Sequence, residues 1–252
     1  MYIEKIKARH TFFIKYLSHV GYKSLSFSSQ KMYYKKEKTS HFVLGFRKNR
    51  NIIDIKKTQK YILQALFLLA LNFKCEGHLL VINTNNTFSK IFKHLELLKN
   101  EKKILKKKLL FSHSNDKWLG GGLTNWKQIS KSIKIFSKFY KDFNDFVTNN
   151  SINFPQYKKM KKSFQGFFTL NDNYIDIAFK KKPDLILLVN PNDHKNIIQE
   201  ASRLNIPIIA ITNTSSDLFS VTLPLTCNNN SINLIYFCLN WICKFGILSK
   251  LV

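Results

Sequence analysis

The chain predicts an α/β fold, a parallel β-sheet with helices on both faces. Three observations between Lys182 and Thr214 lead there. First, Asp184 to Val189 is an apolar run bounded by Pro183 and Pro191, the pattern of a short strand. Second, Ile208 to Ile211 is another such run, and a helix-length segment separates the two. Strand, crossover and strand in that order force parallel pairing with a right-handed crossover. Third, neither run alternates polar with apolar residues, so both faces of the sheet must be covered.

Within the crossover, Asn192 or Asp193 is placed to cap a helix with its side-chain oxygen. Ile197, Ile198, Ala201 and Leu204 share one face of that helix. Asn205 suits the left-handed residue that ends it, and Pro207 enforces the stop.

From the N-terminus, residues 3–17 fit an amphipathic helix with Ile6, His10, Phe13, Ile14 and Leu17 inward. His19-Val20-Gly21 breaks it. Residues 22–40 read as a long loop made basic by Lys31, Lys35, Lys36 and Lys38, either a solvated loop or a phosphate-gripping segment. His41 to Phe46 and Asn51 to Ile55 are rich in strand formers and flank Arg47-Lys48-Asn49-Arg50, a hairpin with three positive charges at its tip. Thr58 is the expected cap of a helix over 59–73, whose Ile62, Leu63, Leu66, Phe67 and Leu69 suggest deep burial.

Leu79 to Ile82 reads as the next strand. Thr87 caps a helix carrying Ile91, Phe92, Leu95 and Leu98, and a lysine-rich run over 102–108 leads to a strand at Leu109 to Ser112. Then comes Trp118-Leu119-Gly120-Gly121-Gly122-Leu123-Thr124-Asn125-Trp126. Its glycines allow positive φ and the close approach of another chain. Thr124 or Asn125 can cap a helix striped by Ile129, Ile133, Phe136 and Tyr140, and such an N-terminus beside Lys117 and Lys127 can receive a phosphate. A tight structural turn explains the same residues, and the two readings can coexist.

Residues 137–182 are the least regular. Phe139 to Phe146 continue the helix, Asn149-Asn150-Ser151 breaks it, and Phe154 to Phe164 return, giving a helical hairpin. The expected division is one α/β domain over 1–136 and 176–252 with an insertion over 137–175. Val221 to Leu225 reads as a final strand, and Asn228 to Ser231 cap a last helix with Ile232, Ile235, Tyr236, Leu239 and Ile242 inward.

Charge narrows the function. Lys and Arg number 41 against 15 Asp and Glu, a net charge of +26 on 252 residues. A folded chain with that charge repels itself unless a polyanion neutralises it, and nucleic acid is the leading candidate. Thirty-seven of those cations are Lys, and Asn, Ile and Phe are abundant, as expected of an A/T-rich gene such as many organelle genomes carry. Cys75, Cys227, Cys238 and Cys243 form no C-x-x-C pair and read as free thiols rather than a zinc site or disulfide. No N-terminal signal is expected, and the apolar segments are too short or too interrupted to span a bilayer.

Read together, these pieces resemble the ribosomal protein S2 family in its bacterial and organellar form. His19-Val20-Gly21 is similar to that family's H-x-G-H turn, with Tyr22 in place of the second His. Lys31-Met32 and Arg47 to Thr58, RKNRNIIDIKKT, resemble its basic loop and I-I-D-L-x-K-T segment. WLGGGLTNW is similar to its W-L-G-G-x-L-T-N signature, and Pro183 to Thr214 to its P-D strand segment. The resemblance implies a flavodoxin-like sandwich with a protruding helical hairpin and a structural role. It implies small-subunit ribosomal RNA and neighbouring ribosomal proteins as partners, with no cofactor, no membrane and no small-molecule substrate. The RNA-facing candidates are Lys31, Lys35, Lys36, Arg47, Lys48, Arg50, Lys117, Gly120, Gly121, Gly122, Asn125, Lys127 and Lys131.

The competing reading is an enzyme that binds a nucleotide or phosphosugar. Against it, Gly120-Gly121-Gly122 is neither G-x-G-x-x-G nor a Walker loop, and Asp193-His194 is explained as a helix cap. Lysine clusters in several segments do not make the single basic face of a membrane-surface protein. The organelle expected is the mitochondrion, with the plastid as the alternative.

Overall fold

The computed structural model describes residues 18–23, 41–83, 85–88, 90–91, 111–115, 118–149, 155–163, 168–171, 174–177, 182–216, 218 and 221–248. The helix expected over 3–17, the basic loop beyond Lys23 and the lysine run over 102–108 lie outside them. The central sheet has five strands: β4 (Leu79–Asn83), β5 (Phe111–Asn115), β8 (Leu185–Val189), β9 (Ile208–Thr212) and β10 (Leu223–Thr226). All are parallel, in the spatial order β10-β9-β8-β4-β5. Numbered by their sequence within this sheet, that order is 2-1-3-4-5, the doubly wound flavodoxin-like arrangement.

The strands' lack of alternation has the expected cause. Leu79, Val81, Leu185, Leu187, Ile209 and Ile211 face one way, against helices α1 (Ile55–Lys74) and α5 (Ile232–Leu248). Leu80, Ile82, Ile186, Leu188, Ile208 and Ala210 face the other, against α2 (Trp126–Asn149) and α4 (Lys195–Arg203). Every residue of β4, β8 and β9 is buried. The start of the sheet is tied by Asp184, whose carboxylate accepts from His78 N at 2.8 Å.

A second, antiparallel sheet holds β1 (Val20–Lys23), β3 (Arg50–Ile53) and β2 (Val43–Arg47), in that order. The turn expected at Val20-Gly21 is therefore the start of a strand. Phe42 anchors this sheet on α1 by an edge-on contact with Tyr61, ring centroids 5.0 Å apart. α2 runs unbroken through residue 137, and α3 (Pro155–Ser163) packs on it through Tyr157 against Phe136, Tyr140 and Phe143. β6 (Phe168–Asn171) and β7 (Tyr174–Ile177) form an antiparallel hairpin where no strand was expected.

Several local expectations change. Asp54, not Thr58, caps α1: its Oδ1 accepts from Lys56 N at 2.9 Å, while the Thr58 hydroxyl donates to the Thr226 carbonyl at 2.8 Å. His194 stands at the start of α4 without a side-chain cap bond, after a short 3-10 turn over Pro191–Asp193. Asn85 organises the turn after β4, accepting from Thr87 N, and the helix that Thr87 was expected to cap lies outside the described residues beyond residue 91. Phe67 is 66% exposed, and Ile232 and Tyr236 also face outward. Asn205 takes the expected left-handed conformation, φ 53°. Among the described residues, no helix is long and apolar enough to cross a membrane.

Cys227 is buried and Cys238 partly so, whereas Cys75 is exposed, and all three are free thiols. Burial pushes the Cys238 thiol up to about 12 and the Cys227 thiol well above its ordinary 9.0. Maleimide should therefore label Cys75 in the native protein at neutral pH and reach Cys227 and Cys238 only after unfolding. Because both folded pKa values are raised, their stabilising contribution is complete below pH 9.0 and declines as pH climbs, for Cys238 toward about 12. Rapid native labelling of Cys227 would contradict the packing of α5.

Candidate nucleic-acid interface

The described cationic candidates lie on two elements. The first is the β2–β3 hairpin. Arg47 pairs with Arg50 across its end, and Lys48 and Asn49 between them hold φ 46° and 60°. Two central residues with positive φ make the tight turn whose twist matches the flanking strands. Arg47, Lys48 and Arg50 are all exposed at this tip. The arrangement offers three cations on a rigid two-stranded support.

The second element is α2. Ile133, Phe136 and Tyr140 are buried on its inner side. Lys127 and Lys131 are exposed, and so are Lys134 and Lys138. At 100° per residue these four fall in one stripe opposite the buried face, spread over about 16 Å of helix. Lys134 and Lys138 were not among the sequence candidates. Their spacing of i, i+4, i+7 and i+11 from Lys127, set against the apolar stripe, was the available signal. No acidic residue occurs between Trp126 and Lys138.

The WLGGGLTNW loop turns out to be anchored from within. Glu200 on α4 is only 7% exposed, and its carboxylate sits under the loop. Oε1 accepts from Gly121 N at 2.8 Å and from Trp118 Nε1 at 3.5 Å. Oε2 accepts from Leu123 N at 2.8 Å and Thr124 N at 3.4 Å. A carboxylate thus occupies the place among these amides that an incoming phosphate would need. The phosphate-receiving reading of these N–H groups gives way to the structural one.

The glycines separate accordingly. Gly121 has φ +82°, which side chains rarely adopt, yet a Cβ there would meet nothing closer than Asn125 Cβ at 3.7 Å. A Cβ on Gly120 would stand in open space. Neither position needs glycine because another part of this chain presses on it; Gly121 needs it for its backbone angle. Gly122 is buried and donates to Leu119 O at 3.1 Å, and Asn125 is exposed just before α2. Lys31, Lys35, Lys36 and Lys117 lie outside the described residues.

At the C-terminal ends of β4 and β8, where this topology receives ligands, Asn83 and Asn190 bond within the protein. Asn83 is fully buried and closes a turn, its Nδ2 donating to Asn85 O at 2.9 Å. Asn190 Oδ1 accepts from Asn229 Nδ2 at 3.1 Å, and Asn229 Oδ1 accepts from Asn213 Nδ2 at 3.0 Å.

Comparison with known proteins decides what these features belong to. The family model described as Ribosomal protein S2 matches residues 24–248. The chain belongs to the ribosomal protein S2 family. It is 34% identical to the small ribosomal subunit protein uS2m of Marchantia polymorpha over 83% of this chain and 82% of that one. It is 31% identical to the uS2c of Cyanidium caldarium, covering 77% of this chain and 74% of that one. The uS2 of Rickettsia conorii is 28% identical over 79% of this chain but only 63% of its own length. The S2 signature loop is thus the segment that Glu200 holds.

Glu200→Ala would leave the buried Leu123 amide without its acceptor, at a penalty of about 1–3 kcal/mol, and would free the part-buried amides of Gly121 and Thr124 to seek water. The expected loss is about 1–3 kcal/mol in urea unfolding, with Glu200→Gln intermediate; an unchanged midpoint would show that the loop is held otherwise. Gly121→Val should lose about 1–2 kcal/mol from backbone strain. Gly120→Ala, with open space around it, should stay within about 0.5 kcal/mol of wild type in the same assay.

Proposed function

We propose that this S2-family protein is a structural component of an organellar small ribosomal subunit, bound to small-subunit ribosomal RNA and to neighbouring ribosomal proteins. The observation that carries the RNA contact is the lysine stripe of α2: four exposed cations opposite the core and no acid in the same stretch. The hairpin tip adds Arg47, Lys48 and Arg50. We assign Lys31, Lys35, Lys36, Lys117, Gly120, Gly121, Gly122 and Asn125 to the same role, the glycine loop by way of exposed Gly120 and Asn125 rather than by its engaged amides. Residues 137–175 serve in this reading as an arm inserted into the α/β domain of 1–136 and 176–252. The role is non-catalytic, in keeping with the ribosomal protein family whose model matches residues 24–248. The mitochondrion is the proposed organelle, on the strength of the similarity to uS2m of Marchantia polymorpha and the lysine- and asparagine-rich composition.

The tagged protein should co-sediment with small subunits from gently lysed mitochondria, in amounts matching other subunit proteins. Recovery only at the top of the gradient would remove the ribosomal reading, and recovery with plastid subunits would correct the organelle. With purified protein, log K for small-subunit RNA should fall linearly with log salt. Each of Arg47, Lys48, Arg50, Lys127 and Lys131 changed to Gln should reduce that slope by about one unit. Binding that ignores salt would contradict phosphate recognition.

A further inference from the structure

We infer that Gly21, with Thr214 and Asn51, is a positioning lock that fixes the basic hairpin relative to the α/β body, so that the hairpin tip and the α2 stripe engage one RNA together. The inference rests on the RNA-binding reading above. Its starting point is a close approach. A Cβ on Gly21 would lie 2.9 Å from Thr214 Cγ2, 3.0 Å from Thr214 Oγ1 and 3.0 Å from Asn51 Cβ. Real side chains do not tolerate the first of these distances, so only glycine lets β1 sit against the loop after β9.

The hydroxyl of Thr214 is the hub of this contact. It accepts from Tyr22 N at 3.2 Å and from Asn51 Nδ2 at 3.0 Å, and lies 3.3 Å from Asn213 Oδ1, to which it can donate. Two acceptor positions and one donor are thereby used, the full capacity of a hydroxyl. Thr214 and Asn51 are 1% exposed, so the bonds of Thr214 to Asn51 and Asn213 form away from competing water, while that from Tyr22 N is half-buried. The chain continues through Asn213 and Asn229 to Asn190 at the end of β8. Thr214 bonds β1 at Tyr22 and β3 at Asn51, and β3 carries Arg50 at its tip. The orientation of three cations is thereby referred to the central sheet. Two RNA contacts on one rigid body reinforce each other only when both reach their targets at once.

The experiment compares salt slopes for full-length protein on a transcript of the organelle's small-subunit ribosomal RNA, well below the melting temperature of every variant. In wild type, replacing Arg47, Lys48 and Arg50 together by Gln should lower the slope by about three units. In a G21A background the same triple replacement should lower it by one unit or less, because the misdirected tip no longer contributes. Thr214→Ser removes the crowded methyl and keeps the hydroxyl, so G21A/T214S should regain more than half of the lost slope. Should G21A fail to fold, Thr214→Val, which keeps shape but deletes the hydrogen bonds, should give the same uncoupling. If the tip replacement removes as much slope in G21A or T214V as in wild type, the tip works without the lock and the inference is overturned while RNA binding stands. If wild type itself shows no salt-dependent binding, the RNA reading fails and takes the lock with it.

Discussion

A carboxylate buried beneath a loop decides the path of this chain between β5 and α2. Glu200 accepts from the amides of Gly121, Leu123 and Thr124, of which the buried one at Leu123 would otherwise be stranded. An unsatisfied buried amide is costly, and a charged acceptor is the strongest available partner. With the loop fixed, Leu123 and Ile133 drop onto Leu80, Ile82 and Ile186, and the second face of the sheet closes. The direction of α2 follows from that closure. So does the outward aim of Lys127, Lys131, Lys134 and Lys138. A core interaction thus sets the geometry of a surface.

The two candidate RNA contacts hang from different supports. The α2 stripe depends on Glu200 and the aromatic cluster around Tyr157, whose hydroxyl is pushed up to about 12 by burial and by neighbouring Tyr140. The hairpin depends on Phe42 beneath it and on Thr214 beside it. Damage to one support leaves the other intact, which separates the S2 signature loop from the basic tip in cause as well as in sequence.

What could be read from the sequence was what local pattern encodes. The apolar runs of β4, β8 and β9, the stop at Asn205 and the hairpin around Lys48-Asn49 depend on neighbours a few residues away. Glu200 escaped notice because its partners are backbone groups 76 to 79 residues distant, which carry no side-chain signature. β1 is only four residues long, and its partner strand starts at Arg50, so Gly21 read as a break. Phe67, Ile232 and Tyr236 were placed inward because α1 and α5 are apolar nearly all round, and periodicity then cannot choose a face. The β6–β7 hairpin had a signal that was passed over: Phe168, Leu170, Ile175 and Ile177 alternate on either side of Asp172-Asn173. Of the candidate site, the exposure of Arg47, Lys48, Arg50, Lys127 and Lys131 was legible, whereas Lys134, Lys138 and the anchors beneath them were not.

The contact between Thr214 and the N-terminal sheet also orders events during synthesis. Tyr22 waits for a partner 192 residues downstream, and Asn51 for one 163 residues downstream. At about 5–20 residues per second, that interval is roughly eight to forty seconds. Throughout it, the hairpin's cations leave the ribosome on a sheet that has α1 to rest on through Phe42 but no central sheet to fix its orientation. β4 must likewise wait for β8 before its inner edge is paired. The nascent chain therefore presents its positive charge before its neutral core exists, and its final fifth turns a tethered cationic ribbon into a rigid part.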